Sequence, residues 1–269
     1  MKNSLPILTL VSFVLWSCDD SKKTEKNAPS KVQTPALNFE VLGYYPHEPK
    51  LFTQGLEIQQ GSIYESTGAP QNLPFTETQI GVLDTLTGLL DTKVNLGKSV
   101  FGEGISFLDD KVYQLTYKSQ ICNVYDKNTF QKIDEFTFPN QEGWGLTNNG
   151  THLIMSDGTY KLTFIDPLDF SKVKEMTVKE GGYGAEALNE LEYVAGFIYA
   201  NVWQKNEILK IDAITGNVVA KADLTPIAQE VYRTNPNIDA MNGIAYDSEK
   251  DEFLIAGKLW PKIYRVRFN

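Results

Sequence analysis

Four stretches of the chain repeat one another: GVLDTLTGLL from Gly81, NVYDKNTFQK from Asn123, TFIDPLDFSK from Thr163 and LKIDAITGNV from Leu209 each run apolar, reach an aspartate, turn and run on. Their aspartates, Asp84, Asp126, Asp166 and Asp212, recur 42, 40 and 46 residues apart. A second set interleaves with the first: FTQGLEIQQGSIYESTG from Phe52, FGEGISFLDDKVYQLTY from Phe101, GWGLTNNGTHLIMSDG from Gly143, NELEYVAGFIYANVW from Asn189 and NGIAYDSEKDEFLIAGK from Asn242, each reading strand, turn, strand. Self-similarity at roughly 40 to 50 residues, with four short strands per unit, is the signature of a β-propeller. Five copies give five blades. No 3.6-residue apolar period is sustained anywhere, so the expected class is all-β.

The ends of the chain complete this pattern. The last unit finishes at its third strand, IYRVRF from Ile263 to Phe268, and NFEVLGYY from Asn38 to Tyr45 is available as its fourth. Pairing the first strand with the last closes the ring and removes open edges. The four repeat aspartates are expected to be structural, because an aspartate in a tight turn accepts from nearby backbone N–H groups.

Twenty-five Lys and Arg against 34 Asp and Glu give a formal charge of −9, which argues against a nucleic-acid partner. Residues 1–17 read as a lipoprotein-type signal peptide: Lys2 precedes an apolar run from Leu5 to Trp16, too short to span a bilayer, and Leu15-Trp16-Ser17-Cys18 resembles a lipobox. Cys18 is then the lipidated first residue of an exported, membrane-anchored protein, on the periplasmic or cell-surface side. Residues 18–37 are polar and carry proline, as in a disordered tether, and 38–269 form the propeller. With Cys18 lipidated, Cys122 has no internal partner and reads as a core residue. A closed ring is expected to be a monomer.

In a propeller the first strand of each blade lies innermost, so residues at its start converge on one mouth of the channel. FTQG, FGEG, GWGL, NELE and MNGI direct Gln54, Glu103, Trp144, Asn189, Glu190 and Asn242 there, and the ends of the second strands bring Glu65, Tyr117, Asp157, Trp203 and Lys258 to the same region or its rim. The inventory holds carboxylates, amides, one lysine and aromatics. His47 and His152 stand apart, no His or Cys cluster has zinc-ligand spacing, and no Ser-His-Asp arrangement is visible. No metal or other cofactor is expected.

The motifs YPHEPKLFTQGLE, YESTG, FGEG, GWGL, SDGT, NELEYV, ANVW, NGIAYD and GKLWP stand in this order, and from about residue 40 to 268 the chain resembles the plant and bacterial glutaminyl cyclases. The resemblance implies a five-bladed propeller that closes the N-terminal glutamine of peptides or proteins into pyroglutamate and releases ammonia without a metal. It implies Glu103 as general acid and base, and Lys258 and Asn189 as donors to the oxyanion of the tetrahedral intermediate. Gln54 would bond the substrate amine or backbone, with Trp144 and Trp203 walling the pocket and Phe52 and Phe101 lining it as an apolar surround that raises the Glu103 pKa. Tyr117 stands where plant members carry tryptophan, which alters that wall. Two other readings stay open on composition alone: a non-enzymatic, surface-anchored propeller that binds peptide or glycan, and a metal-dependent lactonase-like hydrolase. The latter needs a ring of oxygen ligands, of which Glu103, Asn189 and Asn242 could supply part.

Overall fold

Runs of β-branched and aromatic residues punctuated by Gly, Asn and Asp fold as short antiparallel strands in the computed structural model, which describes residues 33–269. The first strand is β1 (Phe39–Pro46). Blade 1 holds β2 (Thr53–Gln59), β3 (Ser62–Thr67), β4 (Thr78–Leu83) and β5 (Leu90–Gly97); blade 2 holds β6 (Gly102–Leu108), β7 (Lys111–Thr116), β8 (Ile121–Asp126) and β9 (Lys132–Thr137). Blade 3 follows with β10 (Leu146–Asn148), β11 (Leu153–Ser156), β12 (Lys161–Ile165) and β13 (Lys172–Thr177). A two-residue-strand hairpin, β14 (Lys179–Glu180) and β15 (Tyr183–Gly184), leads to blade 4, built from β16 (Leu188–Val194), β17 (Phe197–Val202), β18 (Glu207–Asp212) and β19 (Val218–Asp223). Blade 5 contains β20 (Met241–Asp247), β21 (Glu252–Gly257) and β22 (Lys262–Phe268), with β1 as its outer strand. The register of that closing pair runs from Phe39 opposite Phe268 to Pro46 opposite Lys262.

The core consists of five wedges, one at each seam between neighbouring blades. Ile80, Ile105 and Tyr125 fill the seam of blades 1 and 2; Leu56, Ala245 and Ile263 fill that of blades 1 and 5, on which ring closure depends. Cys122 is fully buried in the wedge between blades 2 and 3.

The repeat aspartates do what a turn requires. Asp84 Oδ1 accepts from Leu86 N at 2.8 Å, Asp126 Oδ1 from Thr129 N at 2.8 Å, Asp166 Oδ1 from Leu168 N at 2.8 Å and Asp212 Oδ1 from Thr215 N at 2.7 Å. Each sits between the third and fourth strands of its blade. Five blades carry only four such turns among the described residues because the third and fourth strands of blade 5, β22 and β1, are not consecutive in sequence.

The all-β, five-bladed expectation holds, with two details added by the structure. One helix accompanies the blades: Thr225–Thr234 forms α1, which buries Ile227, Ala228 and Val231 against blades 4 and 5. Pro226 near its start supplies a fixed φ where no N–H partner exists. The expected tether also ends earlier than residue 37. Ala36 bridges Lys221 of β19 in parallel, Leu37 N donates to Lys221 O at 2.8 Å, and Leu37 is buried, so residues 34–37 belong to the propeller's edge. The proposed signal peptide, Cys18 and the rest of the tether up to residue 32 lie outside the described residues.

Candidate active site

Neighbouring inner strands approach one another closely at one mouth of the channel. An added Cβ at Gly104 would lie 2.3 Å from Leu146 N, and one at Gly145 would lie 2.1 Å from Asn189 O. Only glycine permits that approach, which accounts for FGEG and GWGL. Four inner strands are irregular at the same level: the register shifts at Thr53/Gly55 in β2, Gly102/Ile105 in β6, Leu188/Leu191 in β16 and Met241/Ile244 in β20. Such bulges re-aim a side chain that would otherwise follow the pleat. The residues at the shifts are Gln54, Glu103, Asn189 with Glu190, and Asn242.

A cleft of about 520 Å³ opens there, lined by Phe52, Gln54, Phe101, Glu103, Tyr117, Trp144, Asn189, Trp203 and Lys258, together with Pro70, Glu142, Gln204 and Asp239. All nine residues named from the sequence as catalytic or substrate-binding therefore share one cavity. The last four were not singled out from sequence. Three of them neighbour strong motifs, Glu142 in EGWGL, Gln204 after ANVW and Asp239 before MNGI, but nothing in their local pattern marks them as inward-facing.

Four other sequence candidates face elsewhere. Glu190 is fully buried in the channel, where it accepts from Leu56 N at 3.2 Å and Ile244 N at 2.7 Å. Asn242 supports Gln54 from beneath, donating to its Oε1 at 3.1 Å and to Thr53 O at 3.2 Å. Glu65 accepts from Thr53 Oγ1 at 2.8 Å and lies 2.9 Å from Nε2 of His47. His47 is thus not isolated: it is buried, and its Nδ1 is 2.6 Å from Trp260 O. Burial works against its protonation, but the Glu65 carboxylate prevails and raises its pKa. Asp157 caps a turn, accepting from Thr159 N at 3.1 Å, and accepts from Asn140 Nδ2 at 2.8 Å.

Backbone contacts between blades fix the central groups. Ser66 Oγ of blade 1 donates to Glu103 O at 2.6 Å and itself accepts from Gln114 Nε2 at 3.0 Å. Ser156 of blade 3 repeats the device, donating to Asn189 O at 2.7 Å. Lys258 directly follows β21, its N–H donating to Ala240 O at 3.0 Å and its carbonyl accepting from Asp239 N at 2.9 Å. The next residue, Leu259, has φ 63°, a left-handed conformation that an aliphatic side chain disfavours; the chain turns there to leave Lys258 at the cleft. The walls are aromatic: Trp144 and Trp203 meet edge to face at 5.5 Å, and Phe52 and Phe101 at 6.1 Å.

Electrostatics follow from burial. Glu103 is 4% exposed, and desolvation lifts its pKa well above the ordinary carboxylate value; the Lys258 charge opposes this and the Glu142 charge adds to it. Lys258 is 6% exposed and its pKa is lowered by the same desolvation, against the pull of Glu103 and Asp239. Its Nζ lies 4.9 Å from the Phe52 ring centroid. Asn189 Oδ1 is buried without a partner among the described residues, which leaves that acceptor free to pair with an incoming donor. Among these residues no three His, Cys, Asp or Glu side chains converge to hold a metal ion.

A buried carboxyl with a raised pKa, a lysine and an asparagine amide inside an aromatic wall make this an enzyme-type propeller, whose mouth is suited to moving protons on a small polar group. Comparison with known proteins narrows that class. The family model for glutamine cyclotransferase matches residues 9–268. The glutaminyl-peptide cyclotransferase of Arabidopsis thaliana is 32% identical over 232 residues, 86% of this chain and 71% of the plant protein. The crystal structure of Myxococcus xanthus glutaminyl cyclase superposes with a TM-score of 0.80 at 32% identity, covering 88% of this chain and 99% of that one. The chain belongs to the glutamine cyclotransferase family.

Proposed function

We propose that the protein cyclises the N-terminal glutamine of peptides or proteins to pyroglutamate, with Glu103 carrying the proton. The substrate's α-amine attacks its own side-chain amide carbon; a C–N bond closes the five-membered lactam while the former amide C–N bond breaks. One amine proton passes through Glu103 to the departing nitrogen, which leaves as ammonia. No electrons change hands and no water is consumed. Because both reacting groups belong to one residue, the cleft acts mainly by holding glutamine folded, and restricting reactants this way is worth several kcal/mol, up to about 7–11. Lys258 and the Asn189 amide face the developing oxyanion, Gln54 orients the amine, and Phe52, Phe101, Tyr117, Trp144 and Trp203 enclose the side chain.

The observation that carries this reading is the elevated carboxyl of Glu103 beside Lys258 in one aromatic-walled cleft. A carboxylate with an ordinary pKa near 4.3 is a feeble base toward an amine and a feeble partner for departing ammonia, whereas one whose pKa is raised by burial exchanges protons more readily with both. The pocket groups supply base, acid and oxyanion donors among themselves, so this scheme calls on no metal. Purified protein is expected to release ammonia from a Gln-initiated peptide at the same rate with and without EDTA. Glu103→Gln is expected to lose about 10²–10⁴ of that rate. Absence of turnover by folded wild-type protein would sink the cyclase reading, and loss of turnover in EDTA the metal-independent part of it.

We also propose that the protein is exported and anchored through lipid on Cys18, as the lipobox-like Leu15–Cys18 segment suggests, and that it acts as a monomer, since one chain supplies the whole cleft. Wild-type protein from cells should partition into the detergent phase as a single-chain species, and Cys18→Ser into the aqueous phase; equal partition refutes the anchor.

A further inference from the structure

The cleft contains a second carboxylate that this scheme leaves idle. Glu142 stands in the loop between β9 and β10, at the seam of blades 2 and 3, and lines the same cavity as Glu103. Its Oε2 accepts from Trp144 Nε1 at 3.0 Å, and its Oε1 lies 3.4 Å from Lys118 Nζ. Lys118 Nζ in turn sits 4.8 Å from the centroid of the Tyr117 ring. The backbone repeats the connection, with Gly143 N donating to Tyr117 O at 2.9 Å. One carboxylate thus joins two walls of the cleft that come from different blades.

We propose that Glu142 is a positioning residue for the cyclisation, tying the Trp144 indole of blade 3 to the Tyr117–Lys118 turn of blade 2 and setting a negative charge in the cleft that Glu103 occupies. The inference rests on the assignment of Glu103 as the proton carrier. Its first consequence is geometric. Trp144 is seated against Gly158, where an added Cβ would lie 2.6 Å from the ring, and edge-on to Trp203; the bond to Glu142 fixes its remaining polar atom, so the indole has one orientation toward substrate. The second is electrostatic. The groups acting on Glu103 are burial first, then the opposing cation of Lys258, then the reinforcing anion of Glu142. Lys118 and the Tyr117 hydroxyl face Glu142 itself, and Asp239 faces Lys258. A like charge disfavours ionisation, so removing the one on Glu142 moves the titration of Glu103 to lower pH.

Two variants separate these effects. Glu142→Gln keeps an acceptor oxygen for the indole but removes the charge; Glu142→Ala removes both. The infrared C=O stretch of protonated Glu103, identified by its loss in Glu103→Gln, is followed against pH in purified wild type and Glu142→Gln, alongside steady-state kinetics on a Gln-initiated peptide. The Glu103 band is expected to titrate at lower pH in Glu142→Gln, with KM within about twofold of wild type because the indole bond survives. Glu142→Ala is expected to raise KM about tenfold, as loss of one part-buried, charge-assisted bond's worth of ordering implies. A Glu103 titration unchanged in Glu142→Gln, or a wild-type KM in Glu142→Ala, overturns the proposal and leaves Glu142 a rim charge. Wild-type turnover in Glu103→Gln overturns the proton-carrier assignment instead, so the two failures are distinguishable.

Discussion

At Glu103 and Lys258 two opposite charges are pushed toward neutrality by one cause, removal from water, and each partly restores the other's charge. Neither can be altered alone. In Lys258→Met the cation that favours the Glu103 carboxylate is gone, so Glu103 keeps its proton to higher pH, the form able to accept the amine proton appears later, and the acid limb of the kcat profile moves upward. Loss of the oxyanion donor is expected to lower kcat by about 10²–10³. A pH–kcat series checks both, and an unmoved limb would show the two groups to be uncoupled. Residues of this kind were legible in sequence because they sit at repeat positions beside glycine or aromatic punctuation: Gln54, Glu103 and Lys258 each adjoin a glycine. Glu142 was not, because a glutamate in a polar loop looks solvated until the seam of blades 2 and 3 places Trp144 and Lys118 around it.

Among the elements, the inner strands carry the stabilising logic. Glu57 of β2 accepts from Phe107 N of β6 with both oxygens at 3.0 Å, Thr147 of β10 from Tyr193 N of β16 at 3.1 Å, and Glu190 of β16 from strands of blades 5 and 1 together. Side chains therefore supply between inner strands the bonds that ladders supply within a blade. Glu190→Ala would leave two buried backbone donors unpaired and is expected to cost about 2–6 kcal/mol of stability, at 1–3 kcal/mol per orphaned group. Denaturant unfolding measures this; a loss under about 1 kcal/mol would mean that the channel rearranges to satisfy them. The strands themselves were legible from alternation and turn residues. The helix α1 escaped because ten residues with three buried apolar positions are too short to establish a period, and its stability comes from the wedge between blades 4 and 5. Residues 34–37 escaped for a related reason: a strip laid along β19 by two backbone bonds leaves no alternation to read.

For the whole molecule, closure was readable from an arithmetic deficit, a fifth unit one strand short and a spare strand at the other end. What it implies for stability comes from the structure: β1 is the outer strand of blade 5 and makes its ladder only with β22. A chain ending at Pro261 loses the third strand of that blade and the attachment of the fourth, together with Ile263, Tyr264 and Val266 from two wedges. It is expected to unfold without a cooperative thermal transition, and to regain one when a peptide of residues 262–269 is added; a wild-type melt for the truncated chain would show that four blades suffice.

The same closing pair orders events during synthesis. Within the propeller the strand that completes the ring is synthesised before all the others and its partner after them, so at ~5–20 residues per second the first waits roughly 10–50 s for the second. Through that interval its ladder groups are open to any other nascent strand. The register break between Val41 and Gly43 of the closed pair is a bulge that a flat foreign edge does not reproduce, so the full pairing is matched only by the strand's own partner.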